Sequence, residues 1–163
     1  MPGDAAANRA LIERFYSAFA RRDHAAMAAC YTRDAGFSDP AFGELRGPEV
    51  TAMWRMLCER GTDLELSFSD VDADDERGSA HWVADYTFSA TGRRVHNEID
   101  AAFRFRDGLI AEHGDRFPFW RWSRQALGPV GFVAGWTPVV RGRVRAQARA
   151  NLERFMSENA AFE

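Results

Sequence analysis

Lysine is missing from this sequence, and all 21 of its basic residues are arginine. We attribute this to genomic composition and draw no mechanism from it. Cysteine is scarce as well, and the spacing of Cys30 and Cys58 fits neither a metal site nor a redox pair, which predicts two reduced thiols. No run approaches the ~18 apolar residues of a membrane span, and no secretory signal is visible at the start. We therefore expect a cytoplasmic protein with no membrane partner.

Several motifs that identify common enzyme classes are also absent. Without a glycine-rich phosphate loop, a nucleotide cofactor is not expected. Ser123 lacks the context of a serine nucleophile. The histidines show neither His-x-His nor His-Glu-x-x-His spacing, and His81 and His96 are predicted to face away from His113 across the sheet. The sequence thus predicts neither a cofactor nor a metal.

The sequence is long enough for one domain, and it is rich in aromatic residues. A chain of 163 residues can form one hydrophobic core. Its 13 phenylalanines and 5 tryptophans exceed what a small core usually needs, and they suit the wall of a ligand cavity. A net charge of -3 predicts no nucleic-acid partner.

Hydrophobic periodicity divides the chain into helices followed by strands. Asp4 and Asp23 are predicted N-caps of two helices, and Pro48 opens a third. Phe37–Pro40 is predicted to be a brief extended segment ended by proline. Alternation with period two begins at Thr62.

Three further strands are predicted at Ser79–Ala90, Arg93–Arg106 and Leu109–Phe119. An antiparallel meander after helices is typical of the α+β class. Because one face of that sheet is apolar, we expect the early helices to cover it. A two-residue loop before Arg93 would pair Tyr86 with Asn97 and align the apolar faces of both strands.

The next turn decides which polar residues face inward, because a slip of one residue reverses every side chain of a strand. A three-residue loop containing Gly108 would pair Ala101 with His113 and turn His113, Asp115 and Phe117 inward. A two-residue loop would instead bury two charged neighbours. We therefore predict the longer loop.

An imidazole and a carboxylate then lie two positions apart on an apolar concave face. Burial of Asp115 would raise its pKa and suit it to acid–base chemistry with His113. The alternative is a structural pair in which Asp115 orients His113. Asp39 is a second candidate acid or base, although an aspartate before proline is often only a turn residue.

These features resemble the nuclear transport factor 2-like (NTF2-like) superfamily, specifically its SnoaL-like and ketosteroid-isomerase-like branches. The matching segments are Leu11–Asp23, Phe37–Gly43, Gly47–Trp54 and Ile110–Trp122. The resemblance implies an α+β fold in which a curved, cone-shaped antiparallel sheet wraps around N-terminal helices. The superfamily includes isomerases, cyclases, epoxide hydrolases, dehydratases and non-catalytic binders, so the fold alone does not identify the reaction.

The resemblance also implies roles for individual residues. Asp39 stands where ketosteroid-isomerase-like proteins carry the aspartate that moves a proton. His113 and Asp115 lie on the strand where polyketide cyclases of the SnoaL type place acid–base groups. Phe15 and Ala101 stand where the isomerases have their two oxyanion donors, which argues against steroid isomerisation.

We expect an NTF2-like domain over residues 1–127 and a C-terminal helical extension over residues 128–163. The apolar stripe of the extension predicts a helix docked on this subunit or a neighbouring one, with a solvated basic side. The resemblance further implies a homodimer formed through the outer sheet face.

The sequence thus predicts a cofactor-independent acid–base enzyme of isomerase, cyclase or hydratase/hydrolase type that acts on a small hydrophobic molecule. The alternative is a non-catalytic ligand-binding or assembly module on the same scaffold. The predicted catalytic residues are Asp39, His113 and Asp115. The predicted substrate-binding residues are Tyr16, Trp54, Trp82, Tyr86, Asn97, Phe117 and Trp120.

Overall fold

A computed structural model describes residues 4–160 of the chain. In chain order its helices and strands are α1 (Ala5–Ala20), α2 (His24–Ala28), β1 (Tyr31–Asp39), β2 (Gly43–Arg46), α3 (Pro48–Arg60), β3 (Glu65–Ala73), β4 (Arg77–Phe88), β5 (Arg93–Arg106), β6 (Leu109–Arg116), α4 (Phe119–Leu127), α5 (Pro129–Ala134) and α6 (Pro138–Ala160). This is the predicted α+β order, with helices before most of the sheet and a helical extension after it.

The first three helices begin at the residues that the sequence predicts. The Asp4 carboxylate accepts the amide of Ala6 at 2.9 Å, and the Asp23 carboxylate accepts the amide of Ala26 at 3.1 Å. Each side chain thereby satisfies an amide that has no partner within its helix. Pro48 occupies the first turn of α3, where its missing N–H leaves no hydrogen bond unmade.

The sheet has six strands in the order β2-β1-β6-β5-β4-β3, and it is not a simple meander. The predicted short segment near Phe37 is a nine-residue strand, β1, which pairs in parallel with β6. Its register shifts between Tyr31 and Gly36, and this irregularity hides the period-two pattern from the sequence. The four-residue strand β2, which the sequence analysis missed, pairs with the outer side of β1.

The turn between β4 and β5 is longer than predicted. Phe88 pairs with Arg93 across a four-residue loop, whose Gly92 amide donates to the Phe88 carbonyl at 2.8 Å. Tyr86 therefore pairs with Val95, and Asn97 pairs with Ala84. The predicted pairing of Tyr86 with Asn97 was wrong by two residues, which leaves both side chains on the predicted face because the side-chain period is two.

The turn between β5 and β6 is one residue shorter than predicted. It contains two residues, Asp107 and Gly108, both at positive φ, as in the hairpin turns that match strand twist. A bulge beside Arg104 adds one residue to β6 and restores the side-chain parity. Phe103 consequently pairs with His113, and Ala101 with Asp115. The inward orientation of His113 and Asp115 is confirmed, although the loop length that predicted it was wrong.

The sheet packs its concave face on the helices, and the extension packs on α3. β6 ends at Arg116 instead of Phe119, because Pro118 has no amide to donate to a strand ladder and stands at the start of α4. In α6, Leu152 and Phe155 are buried in the main core. None of the helices in residues 4–160 is long and apolar enough to cross a bilayer. The domain boundary at residue 127 stays a prediction.

Candidate functional site

His113 lies on the concave face of the sheet. We call His113 and the side chains around it the floor. The ring is fully buried, and four aromatic rings surround it with centroids 4.4 to 5.9 Å from its own. These rings belong to Phe15, Phe37, Trp54 and Phe103. They exclude water from the imidazole, which therefore depends on protein partners for both of its nitrogens.

A chain of hydrogen bonds supplies these partners. Trp54 Nε1 donates to the Tyr31 hydroxyl at 2.9 Å, and that hydroxyl lies 2.7 Å from His113 Nδ1. His113 Nε2 lies 2.9 Å from Asp115 Oδ1, which also accepts from Trp82 Nε1 at 3.4 Å. If Tyr31 donates to Nδ1, then Nε2 carries a proton for Asp115, and the Tyr31 hydroxyl, both imidazole nitrogens and both indole nitrogens are satisfied. Burial raises the pKa of Tyr31 well above its usual value, which keeps its hydroxyl a donor.

Asp39 lies beside Asp115 on the neighbouring strand. The parallel register pairs Phe37 with His113 and Ser38 with Gly114, so one more step places Asp39 next to Asp115 on the inner face. Asp39 Oδ1 accepts the amides of Ala41 at 2.9 Å and Phe42 at 2.6 Å. Both hydrogen bonds go to the same oxygen, and within residues 4–160 Oδ2 has no hydrogen-bond partner.

The two carboxylates differ in their surroundings. Burial, and to a smaller degree the charge of nearby Asp115, raise the pKa of Asp39 to about 7 against the opposing effects of the two backbone amides and of Arg145. Asp115 has the His113 imidazole and the Trp82 indole as hydrogen-bond partners. The raised pKa brings the titration of Asp39 close to neutral pH.

The C-terminal helix α6 brings Arg145 to the end of the sheet where Asp39 lies. We call this end the mouth. Gly43, the pairing partner of Asp39, has a φ of +74°. A Cβ at Gly43 would lie only 3.0 Å from Cδ of Arg145, so the absence of a side chain lets the arginine lie against the β1–β2 turn. Arg145 is exposed and makes no ion pair with any residue that the structure describes.

Three further polar side chains face the concave interior. The Tyr86 hydroxyl accepts Trp122 Nε1 at 2.8 Å, and burial raises the Tyr86 pKa to about 12. The Tyr16 hydroxyl is fully buried with no partner in the described part of the chain, and burial and the Asp115 charge raise its pKa. The Asn97 side chain is 7% exposed and likewise makes no hydrogen bond within residues 4–160. The last two groups therefore have hydrogen-bonding capacity that the described part of the chain does not use.

The structure brings nine of the ten predicted site residues to the concave face. They are Asp39, His113, Asp115, Tyr16, Trp54, Trp82, Tyr86, Asn97 and Phe117. Trp120 lies elsewhere: it is 37% exposed and donates to the Phe132 carbonyl at 3.1 Å. Because β6 ends early, α4 turns Trp120 outward and Trp122 inward.

Sequence reasoning missed Tyr31, Arg145 and Trp122 as residues of the site. Tyr31 precedes the register shift in β1, so no alternation pattern marks it as inward-facing. Arg145 is one of four closely spaced arginines, and only the docking of α6 distinguishes it from the others. For Trp122, a helix beginning after Pro118 was the signal that the side chain would face inward.

The other histidines of the sheet lie on its convex face, as the sequence predicts. His81 Nδ1 lies 3.0 Å from Asp100 Oδ1, and His96 Nδ1 lies 2.7 Å from Asp85 Oδ1. Across residues 4–160, no three histidine, cysteine or acidic side chains converge in a way that could hold a metal ion.

Comparisons with known proteins agree with this architecture. A model of the SnoaL-like domain family matches residues 12–113. Among curated protein sequences, none matches the chain. An LEH-like epoxide hydrolase from Mycobacterium tuberculosis superposes with a TM-score of 0.65 and 20% identity, covering 79% of this chain and 96% of that one.

Two other solved structures give similar values. A candidate polyketide cyclase from Xanthomonas campestris pv. campestris has a TM-score of 0.61 and 22% identity over 74% of this chain and 97% of that one. TsrD from Streptomyces laurentii has a TM-score of 0.63 and 25% identity, with coverages of 75% and 96%. The predicted NTF2-like fold and the SnoaL-like resemblance are confirmed.

Proposed function

Because the chain belongs to the SnoaL-like domain family, we propose that it is a cofactor-independent acid–base enzyme acting on a small, mostly hydrophobic carbonyl compound. The observation that supports this most directly is the placement of Asp39 beside Asp115, with the pKa of Asp39 raised to about 7. A group with that pKa can both accept and return a proton at neutral pH.

In the proposed reaction, Asp39 is the proton carrier. Its ionised carboxylate takes a proton from the carbon next to the substrate carbonyl, so that a C–H bond breaks, an O–H bond forms, and the electron pair moves to the carbonyl oxygen. The Asn97 amide and the Tyr16 hydroxyl are the unpartnered donors that could bind that oxygen as its charge grows. Asp39 then returns the proton to another atom of the substrate.

Asp115 and His113 have a supporting role in this proposal. The hydrogen bond from His113 fixes the Asp115 carboxylate, and the charge of Asp115 adds to the effect of burial, which raises the Asp39 pKa. Isomerisation and ring closure use proton abstraction next to a carbonyl, whereas epoxide opening would use the same carboxylate to take a proton from water; both kinds of reaction agree with the names of the structural neighbours.

Proton exchange measured by NMR tests the proposal without knowledge of the natural substrate. A panel of hydrophobic ketones, such as 2-tetralone and phenylacetone, is incubated with the protein in D2O while loss of the α-proton signal is followed. We expect catalysed exchange that falls about 100-fold in Asp39→Asn. Asp85→Asn, on the convex face, is the matched control and should exchange at the wild-type rate.

A non-catalytic ligand-binding or assembly module is the second candidate. It is favoured by the floor itself, where Trp54 and Trp82 pack with ring centroids 6.5 Å apart and the hydrogen bonds are already complete. A binder would hold the same ketones, shifting protein NMR signals at the mouth, with no exchange above the buffer rate. That pair of results would overturn the enzyme assignment.

We also propose that the protein binds its small hydrophobic ligand in the cytoplasm as a homodimer. The surface that the resemblance implies for this dimer is the convex outer face of the sheet. It carries polar pairs such as His81 with Asp100 and Arg94 with Asp63.

A further inference from the structure

The exposed apolar side chains of this protein are concentrated in one short segment. All the large hydrophobic residues that are exposed within the described chain lie between residues 120 and 139. We call them the lip patch: Trp120, Val130, Phe132, Val133, Trp136 and Val139. Val133 and Trp136 expose 70% and 71% of their surface. Contiguous exposed patches of this kind mark interaction sites.

Helix α5 lies at the centre of the lip patch. Its large apolar side chains face outward, whereas those of a normal amphipathic helix face the core. Gly131 is buried against α4, where an added Cβ would overlap the Ser123 carbonyl oxygen. Gly135 approaches the Ser123 hydroxyl equally closely. The small residues thus pack inward and the large apolar ones point outward. Stability of the single chain would favour the reverse arrangement, so the outward side chains require a partner.

The composition of the patch is that of a protein–protein interface. Residues 125–140 contain no charged side chain. At the edge, the Arg124 guanidinium lies 4.9 Å from the Trp120 ring centre, and Arg141 lies 5.2 Å from that of Phe119. Interface cores are depleted of charge, and tryptophan and arginine dominate their binding energy.

Its size also fits one half of a stable interface. The exposed surface of the six side chains is on the order of 700 Å², compared with about 800 Å² contributed by each partner in a standard interface. Charges near the lip patch do not prevent self-association, because both positive and negative side chains are present there. Arg94 lies 2.9 Å from Asp63, and Arg121 lies 4.0 Å from Glu98.

We propose that the lip patch is the interface between two copies of this chain, which pack α5 against α5 around a twofold axis. A second copy is always present at equal concentration and presents the same uncharged centre. Twofold pairing closes after two subunits, so it buries both patches without forming a fibre. This assigns the dimer to the C-terminal extension and not to the sheet.

Sedimentation equilibrium tests the assignment directly. Over about 1 to 100 µM protein, we expect a species of twice the 18.4 kDa chain mass. Val133→Asp should be monomeric. Val83→Asp, the same substitution on the convex face of β4, is the matched control and should remain dimeric. Circular dichroism would confirm that both variants are folded, since neither position is buried.

Three outcomes would overturn the proposal. The first is a wild-type protein that is monomeric throughout, and the second is a dimer that Val83→Asp breaks and Val133→Asp does not. The third is a monomer that co-sediments with vesicles containing phosphatidylglycerol but not with pure phosphatidylcholine vesicles. That result would assign the lip patch to an anionic lipid surface, to which its arginines would also bind.

Discussion

The floor and the mouth of the concave face are built from similar residue types but differ in how their polar groups are satisfied. At the floor, both nitrogens of His113 and the Tyr31 hydroxyl have partners within a closed aromatic shell. At the mouth, Asp39 keeps one free oxygen and Arg145 has no acidic partner within residues 4–160. Completed hydrogen bonds rigidify a core, whereas unpartnered groups are available to a ligand. We infer that the floor holds the site in place and the mouth performs its chemistry.

Removing the centre of the floor should have the largest effect. His113→Ala leaves a cavity among four aromatic rings and removes one hydrogen bond from each of two buried polar partners, Tyr31 and Asp115. We expect a loss of about 3–5 kcal/mol in the free energy of unfolding, measured by urea denaturation. The control His96→Ala, on the convex face, should change it by less than about 0.5 kcal/mol. Equal losses in the two variants would contradict the distinction between floor and surface.

Two tyrosine-to-phenylalanine substitutions compare a hydrogen-bonded hydroxyl with an unpartnered one inside the core. Tyr31→Phe removes a hydroxyl that bridges Trp54 and His113, so we expect a loss of about 1–3 kcal/mol. Tyr16→Phe removes a buried hydroxyl without a protein partner and should be neutral or stabilising. Denaturation of both variants in parallel is the measurement. A larger loss for Tyr16→Phe would show that its hydroxyl is hydrogen-bonded in solution.

Asp39→Asn should change how stability depends on pH. The Asp39 pKa is about 7 in the folded protein and about 3.9 in the unfolded chain, so the folded state binds this proton more tightly. Its stabilising contribution is complete below pH 4 and is lost as pH rises through 7. Asparagine does not titrate and can still accept the Ala41 and Phe42 amides.

The Asp39→Asn variant should therefore gain stability relative to wild type between pH 5 and pH 8, by up to about 2 kcal/mol. Asp34→Asn provides a control of opposite sign. A hydrogen bond from Arg106 holds the Asp34 pKa below its usual range, so this variant should lose stability at neutral pH relative to pH 3. Thermal melts at several pH values would show both trends. Parallel curves for wild type and Asp39→Asn would contradict the raised pKa.

The smallest effect concerns the arginine at the mouth. Arg145→Gln removes a positive charge that lowers the Asp39 pKa, which should rise by about half a pH unit. Arg143→Gln removes an exposed charge of the same helix and should leave the pKa unchanged. Titration of Asp39 in the two variants separates them. Equal shifts would mean that only the total charge of α6 matters.

Much of the fold was predictable because local signals and the global fold agree. Asp4, Asp23 and Pro48 mark helix starts through chemistry that acts within four residues. The strand β5 was predicted to the residue, since alternation persists over its whole length. β1 and β2 were harder, because a register shift interrupts one of them and the other has only four residues.

The sequence was enough to predict which side chains of the site face inward, but not which of them lie close together. His113 and Asp115 face inward because a bulge restores the side-chain parity that the short turn would otherwise reverse, and the sequence carries no plain mark of that bulge. The closeness of Asp39 and Asp115 depends on the parallel pairing of β1 with β6, whose strands are far apart in the chain. Arg145 and the outward turn of α5 depend on helix docking, which local patterns do not specify.

The titration of Asp39 tests the central claim most directly. Selective carboxyl-carbon labelling of aspartate, with Asp39→Asn to assign the signal, gives its pKa by NMR in the free protein. We predict a midpoint near 7, which moves downward in Asp115→Asn because a neighbouring negative charge is removed. A midpoint near 4 that Asp115→Asn leaves in place would contradict it, because an ordinary surface carboxylate could not serve as the proposed proton carrier.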